Sequence, residues 1–187
     1  MAETVIAPLL AQALRAFDAS LAMRGETEED FAFLCELFAD VRREEFAPVP
    51  WPEQAKREFL DAQCKLQRDH YARHYAGAEL LLIVQGETPL GRLYVHATKA
   101  EIRVMEIALL RELRGRGIGS LLIRGVQQEA ARRGVEVTLH VEPHNPAQRM
   151  YRRLGFELVE NRGVYDFLKW SPAAEATATG QLNTASN

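Results

Sequence analysis

Cysteine is nearly missing from this chain. Cys35 and Cys64 are the only two, with no CxxC pair and no histidine at zinc-ligand spacing beside them. A disulfide-stapled scaffold and a cysteine-ligated zinc module are therefore excluded, and inert thiols in a reducing cytoplasm are expected. No apolar run nears the roughly 20 residues of a membrane span. The N-terminus lacks the basic start and small-residue cleavage site of a secretory signal. Excess positive charge is also absent: 23 Lys and Arg face 26 Asp and Glu, a formal net charge of −3. Neither nucleic acid nor membrane is an expected partner. No internal repeat is visible, and His70, His74, His96 and His144 are too scattered to argue a metal site. What remains is a cytoplasmic chain of 187 residues with 47% hydrophobic content, enough for one domain with a core.

The apolar spacing outlines the elements in order. Residues 4–15 carry enough Leu and Ala for a short amphipathic helix, which Pro8 interrupts. A first strand lies within 18–24. Thr27 and the acids after it mark a helix start, and Phe31, Leu34, Cys35, Leu37, Phe38 and Val41 give one helical face up to about 46. Pro52 opens a long polar helix to about Tyr75, whose apolar face is Phe59, Leu60, Cys64, Leu66, Tyr71 and Tyr75. ELLLIVQ (79–85), a turn and PLGRLYVHAT (89–98) form a hairpin, with a third strand over 100–110. A helix follows from Ile118 to Arg133, closed by Gly134. VEVTLHV (135–141) alternates as a strand, with Glu136, Thr138 and His140 on its polar face. A helix led by Pro146 and two closing strands reach residue 170. From Ser171 the chain lacks bulky apolar residues apart from Leu182 and is expected to be disordered.

The chain is organised around MEIALLRELRGRGIGS, residues 105–120. It reads as a buried strand, a turn and the glycine-rich first turn of a helix. Gly115, Gly117 and Gly119 leave the backbone bare where the helix begins, and glycines there cost helix propensity with no other return. The free N–H groups and positive dipole end of that turn favour phosphate. Arg114 and Arg116 add cationic donors, or else form a solvated basic loop. The pattern points to the diphosphate cradle of a coenzyme.

Two motifs, one helix and one strand apart, resemble the GNAT superfamily of acetyl-CoA-dependent N-acetyltransferases. One is the (Arg/Gln)-x-x-Gly-x-(Gly/Ala) loop, met by Arg114, Gly117 and Gly119. The other is Asn, a helix bearing Tyr, then Gly-Phe, met by Asn145, Tyr151, Gly155 and Phe156. Element order matches from about residue 18 to 170. The resemblance implies a single α/β (α+β) domain whose mixed central sheet is splayed between its fourth and fifth strands and flanked by helices. Residues 1–17 would be an N-terminal extension and 171–187 a tail. In one departure, Asn145 and Tyr151 are six residues apart where seven is commoner, so the helix needs a shorter lead-in.

By the same resemblance, main-chain groups around Leu109 and Leu110 pair with pantetheine. The backbone of Arg114, Gly115, Arg116, Gly117, Ile118, Gly119 and Ser120 takes the diphosphate. Tyr151 is the general acid for the departing thiolate, apt because a phenol with pKa about 10 is protonated at neutral pH. Asn145 tethers pantetheine or caps the last helix. The base is open. His140, on the polar face of its strand, has a suitable pKa of about 6.5. Glu106 interrupts an apolar run and needs a partner there; a strand bulge would turn it toward the groove. Glu142 is a third candidate. The ordinary alternatives are a surface His140 and a paired, structural Glu106.

The implied activity is transfer of an acetyl group from acetyl-CoA to a primary amine by direct attack within a ternary complex, without metal. A non-catalytic acyl-CoA-binding sensor is the rival class. A dinucleotide-binding domain fits less well, since RGRGIGS lacks full GxGxxG spacing and no acid follows at a strand end. Acids at 26–30 and 43–45 either draw a cationic acceptor or are solvated faces. The acceptor, a small-molecule or peptide amine, stays open, as does the homodimer seen in many relatives.

Overall fold

The computed structural model describes residues 6–172. Thirteen of the segments within it are strands or α-helices, and all seven strands belong to one sheet. Helix α1 (Ile6–Phe17) precedes β1 (Leu21–Gly25), and α2 (Phe31–Val41), α3 (Arg43–Phe46) and α4 (Glu53–His74) follow. Then come β2 (Glu79–Gln85), β3 (Thr88–Ala97), β4 (Glu101–Leu109), α5 (Ile118–Arg133), β5 (Glu136–Val141), α6 (Gln148–Arg153), β6 (Glu157–Asn161) and β7 (Asp166–Trp170). The strand order is β1-β2-β3-β4-β5-β7-β6. Every neighbouring pair is antiparallel except β4 and β5, which run parallel with α5 as their crossover. The mixed sheet, single domain and flanking helices are as the sequence leads one to expect.

Alternation along the strands sorts the core into two layers. Leu81, Ile83, Leu93, Val95, Ile102 and Val104 point to α1 and α5. Leu82 and Val84 point to α2 and α4, meeting Leu34, Cys35, Phe38, Leu60 and Cys64. Leu66 does not join them: it is 59% exposed, because the buried stripe of α4 runs through Leu60 and Cys64. None of the described helices is long and apolar enough to cross a membrane.

Several local boundaries differ from the sequence pattern, each for a physical reason. Pro8 does not interrupt α1. It lies in the first turn, where a missing N–H costs nothing, and the Glu79 carboxylate accepts the N–H groups of Ile6 (3.3 Å) and Ala7 (3.0 Å). Ile6, Leu10 and Leu14 are fully buried, so α1 is part of the core, each side chain contributing about 2 kcal/mol. The helix over 31–46 breaks at Arg42 into α2 and α3. Pro52 precedes α4 as an extended capping residue. Pro146 and Ala147 form a turn ahead of α6 rather than its first residues. Ser171 and Pro172 are the only residues of the expected tail that are described; the rest lies outside.

Candidate active site

The site begins where two strands part. β4 and β5 pair from Glu101↔Glu136 only as far as Val104↔Leu139, although β4 continues to Leu109. Met105 causes the change. Opposite β3, Val95 pairs with Val104 and Tyr94 with Glu106, so Met105 is an extra residue in β4. Such a bulge bends the strand and reverses the facing of everything after it. Val104 faces α5, and without the insertion Glu106 would too. With it, Glu106 lies beside Tyr94 on the α4 face, while Ile107 and Leu109 pack toward α5.

The glycine loop sits at the mouth of this gap. Gly117, at φ 90°, turns the chain into α5, a conformation that a β-carbon makes costly. The first internal bond of α5 runs from the Leu121 N–H to the Gly117 carbonyl at 3.0 Å. The amides of Ile118, Gly119 and Ser120 therefore have no carbonyl behind them, and no side chain caps them. Arg116 lies 3.5 Å from Asp18 and is half-exposed. Arg114 is committed elsewhere than the sequence suggests. Its Nε donates to the Leu109 carbonyl at 2.7 Å and its Nη2 to Asp40 Oδ2 at 2.6 Å. The Leu110 N–H bonds Leu90 on β3, so the Leu109 carbonyl of the same peptide points away from β3, toward the gap.

Tyr151 belongs to the same buried cluster as Ile118 and Leu122, on the α5 side of the sheet. It is 4% exposed and meets Phe156 edge to face at 5.6 Å. Burial pushes its phenol above the ordinary value of 10, and the charge of Glu106 adds to this. The turn at Pro146–Ala147 separates Asn145 from α6, which begins at Gln148, two residues later than Pro146 suggested. Asn145 Oδ1 accepts the Ala147 N–H at 2.9 Å, so this side chain fixes the turn that leads into α6, whose N-cap position is Ala147. Gln148 Nε2 bonds Asp166 Oδ2 (2.8 Å), and on α5 Gln127 Nε2 reaches the Leu154 carbonyl (2.7 Å), fixing α6 against its neighbours.

Glu106 is held at both oxygens. Arg92 Nη2 donates to Oε1 at 2.6 Å and the Tyr71 hydroxyl to Oε2 at 3.2 Å. Neither partner was singled out by the sequence pattern. The available signal was an arginine facing the same way as Tyr94 and His96 inside an otherwise apolar strand. His140 shares the Glu106 face but is exposed, stacked on Phe167 at 5.0 Å, with Arg162 Nη1 3.2 Å from its Nε2. Partial burial, then the charges of Arg103 and Arg162, hold its pKa below 6.5, so the ring is neutral near pH 7. Glu142 lies just past β5, its carbonyl accepting from Gln148 at 3.3 Å.

A cleft of about 780 Å³ opens between α2, α3, α4 and the end of β4, where Asp40, Phe46, Leu60 and Leu110 line it. Acids at 26–30 do not face it as free charges. Glu26 and Glu28 pair with Arg68, and Asp30 with Arg24. The His70 and His74 rings lie 4.5 Å apart, tilted to each other, yet no group of three metal-ligating side chains occurs among the described residues.

This architecture has many counterparts among solved structures. PaiA N-acetyltransferase from Thermoplasma acidophilum, in complex with coenzyme A, superposes with a TM-score of 0.63 at 16% identity, over 81% of this chain and 99% of that one. Arabidopsis thaliana Naa50, bound to the bisubstrate analogue CoA-Ac-MVNAL, gives 0.53 at 20% identity, over 81% and 99%. RimL, a ribosomal L7/L12 alpha-N-protein acetyltransferase, gives 0.56 at 20% identity, over 83% and 91%. No curated protein matches the sequence. The family model described as acetyltransferase (GNAT) family matches residues 34–156, from the middle of α2 through the Gly-Phe that follows α6. That span holds the bulge, the gap, the glycine loop and Tyr151, and the chain belongs to the acetyltransferase (GNAT) family.

Proposed function

We propose that the protein is an N-acetyltransferase that moves an acetyl group from acetyl-CoA to a primary amine by direct attack within a ternary complex. One observation carries this reading: the uncapped amides of Ile118, Gly119 and Ser120 open α5 beside the gap, and Tyr151 is buried in the cluster that holds Ile118. A diphosphate on those amides, together with those from Gly115 to Gly117, leaves pantetheine to run along the exposed edge of β4 near Leu109 and Leu110; the Arg114 N–H is already given to the Arg111 carbonyl at 3.1 Å. The Leu109 carbonyl then has Arg114 as a competitor for any incoming N–H. Asn145 supports the site by fixing the turn ahead of α6.

In the transfer, the amine nitrogen forms a bond to the thioester carbonyl carbon and the carbon–sulfur bond breaks. Tyr151, kept protonated by burial, gives its proton to the thiolate. Glu106, whose charge adds to the rise of the Tyr151 phenol, takes the proton the amine loses. His140 is the weaker base candidate because Phe167 and Arg162 already hold its ring. A carboxylate base needs no metal. The acceptor reaches the gap from the α4 side, past the cleft that Asp40 and Leu110 line. Peptide N-termini are among the acceptor classes to test, since RimL is an alpha-N-protein acetyltransferase and Naa50 binds the bisubstrate analogue CoA-Ac-MVNAL. Two free, buried thiols fit a reducing cytoplasm.

The test is release of free CoA thiol from acetyl-CoA against a panel of peptide N-termini, lysine peptides, polyamines, aminoglycosides and amino acids. Turnover with one class supports the reading. Tight acetyl-CoA binding without turnover on any amine would instead establish a non-catalytic acyl-CoA sensor.

A further inference from the structure

The sheet face under α4 carries buried polar side chains that packing alone does not require. Leu60 and Cys64 already dock α4 on Leu82 and Val84, and Arg68 ties the helix to Glu26 and Glu28. A second buried ion pair adds little to such docking, because desolvating both charges consumes most of their attraction. Yet Arg92, 2% exposed, is kept there with its Nε unpartnered. An orphaned buried donor is a cost that calls for an explanation.

We propose that Tyr71 is a positioning residue for acetyl transfer: with Arg92 it fixes the Glu106 carboxylate so that the remaining lone pairs face the gap. The inference rests on the assignment of Glu106 as the base. Glu106 follows the bulge, where β4 has lost β5 as a neighbour, so the strand alone does not orient its side chain. Arg92 and Tyr71 each take one oxygen. Both are themselves immobilised. Gln67 Oε1 accepts from the same Arg92 Nη2 at 2.9 Å, and the guanidinium lies over the Tyr94 ring at 5.0 Å. Tyr71 meets Tyr94 edge to face at 5.8 Å and Tyr75 at 6.0 Å. Burial, then the charge of Glu106, raise the Tyr71 phenol well above its ordinary range, so it is a fixed donor and not an acid. The titratable and charged groups facing Glu106 are Arg92 and Tyr94 from β3, Tyr71 and Cys64 from α4, and Tyr151 from α6.

Tyr71→Phe keeps the ring and its packing and removes one donor. The variant is expected to keep its KM for acetyl-CoA while kcat falls about tenfold, the usual effect of losing a hydrogen bond to a charged group. The same substitution in a Glu106→Gln background should cost nothing further in kcat, because no carboxylate is left to position. A folded Tyr71→Phe protein with wild-type kcat, or a tenfold loss that persists undiminished in the Glu106→Gln background, overturns the inference. Glu106→Gln with wild-type kcat overturns the base assignment, and the inference with it.

Discussion

Tyr151 and Glu106 show how one local pattern can leave two residues with very different standing. Tyr151 lies in a helix whose Asn, Tyr and Gly-Phe spacing is visible in the chain, and burial keeps its hydroxyl protonated. Tyr151→Phe should leave acetyl-CoA affinity intact and lower kcat by about 10²-fold or more, the range of a lost general acid. Because the phenol is raised, its ionisation lies above the ordinary 10 of tyrosine, so kcat should show no alkaline loss from this group up to that pH. Steady-state kinetics across pH check both expectations. For Glu106 the chain shows an acid in an apolar run and nothing of its partners. Arg92 lies 14 residues before it and Tyr71 35 before it, and the two meet it only once α4 lies across the sheet.

Among the elements, α1 and α5 are joined at Gly125. A β-carbon there would stand 2.4 Å from Leu10 Cδ2, and Leu10 is fully buried, so the clash forces it to shift within the core. Gly125→Ala should therefore destabilise by about 1–3 kcal/mol through overpacking, less a gain of about 1 kcal/mol in helix propensity. In a Leu10→Ala background the clash is gone and the same change should stabilise. Urea unfolding of the four proteins reads that reversal of sign, and simple additivity would refute the contact. At the other end of α5, the Arg132 and Arg133 side chains hold the Glu129 carboxyl down to about 2. A folded-state value below the ordinary 4.5 stabilises above that pH, and the benefit fades as pH falls from 4.5 through about 2. Glu129→Gln should lower Tm by roughly 2–4 °C at pH 7. The gap from wild type should close by about pH 2 in a series of thermal melts.

For the whole molecule, the proposed function links coenzyme binding to stability, because an unfolded chain would have no α5 mouth to grip a diphosphate. Acetyl-CoA at 100 times its Kd should contribute about 2.7 kcal/mol, a rise in Tm of roughly 5–10 °C for a chain of this size. Gly117→Ala places a β-carbon at φ 90° and should lose most of that rise. Differential scanning fluorimetry compares the two, and an equal shift in both would show that the loop is not where the coenzyme sits.

The element order, the α5 boundaries and the glycine mouth of that helix were legible in the chain because each depends on neighbours a few residues apart. Apolar spacing, Gly117 and Gly134 are local signals of that kind. The faces of β5 followed too, since alternation needs only period two. Tertiary structure decided everything that hangs on distant meetings. It made α1 part of the core through Glu79 and Gly125, and it turned Arg114 toward Leu109 and Asp40. It also inserted Met105 so that Glu106 faces α4, where Arg92 and Tyr71 hold it. A bulge is settled by the register of two strands, and a buried charge by whichever donors the packing brings within 3 Å. Neither is written in the spacing of any one stretch.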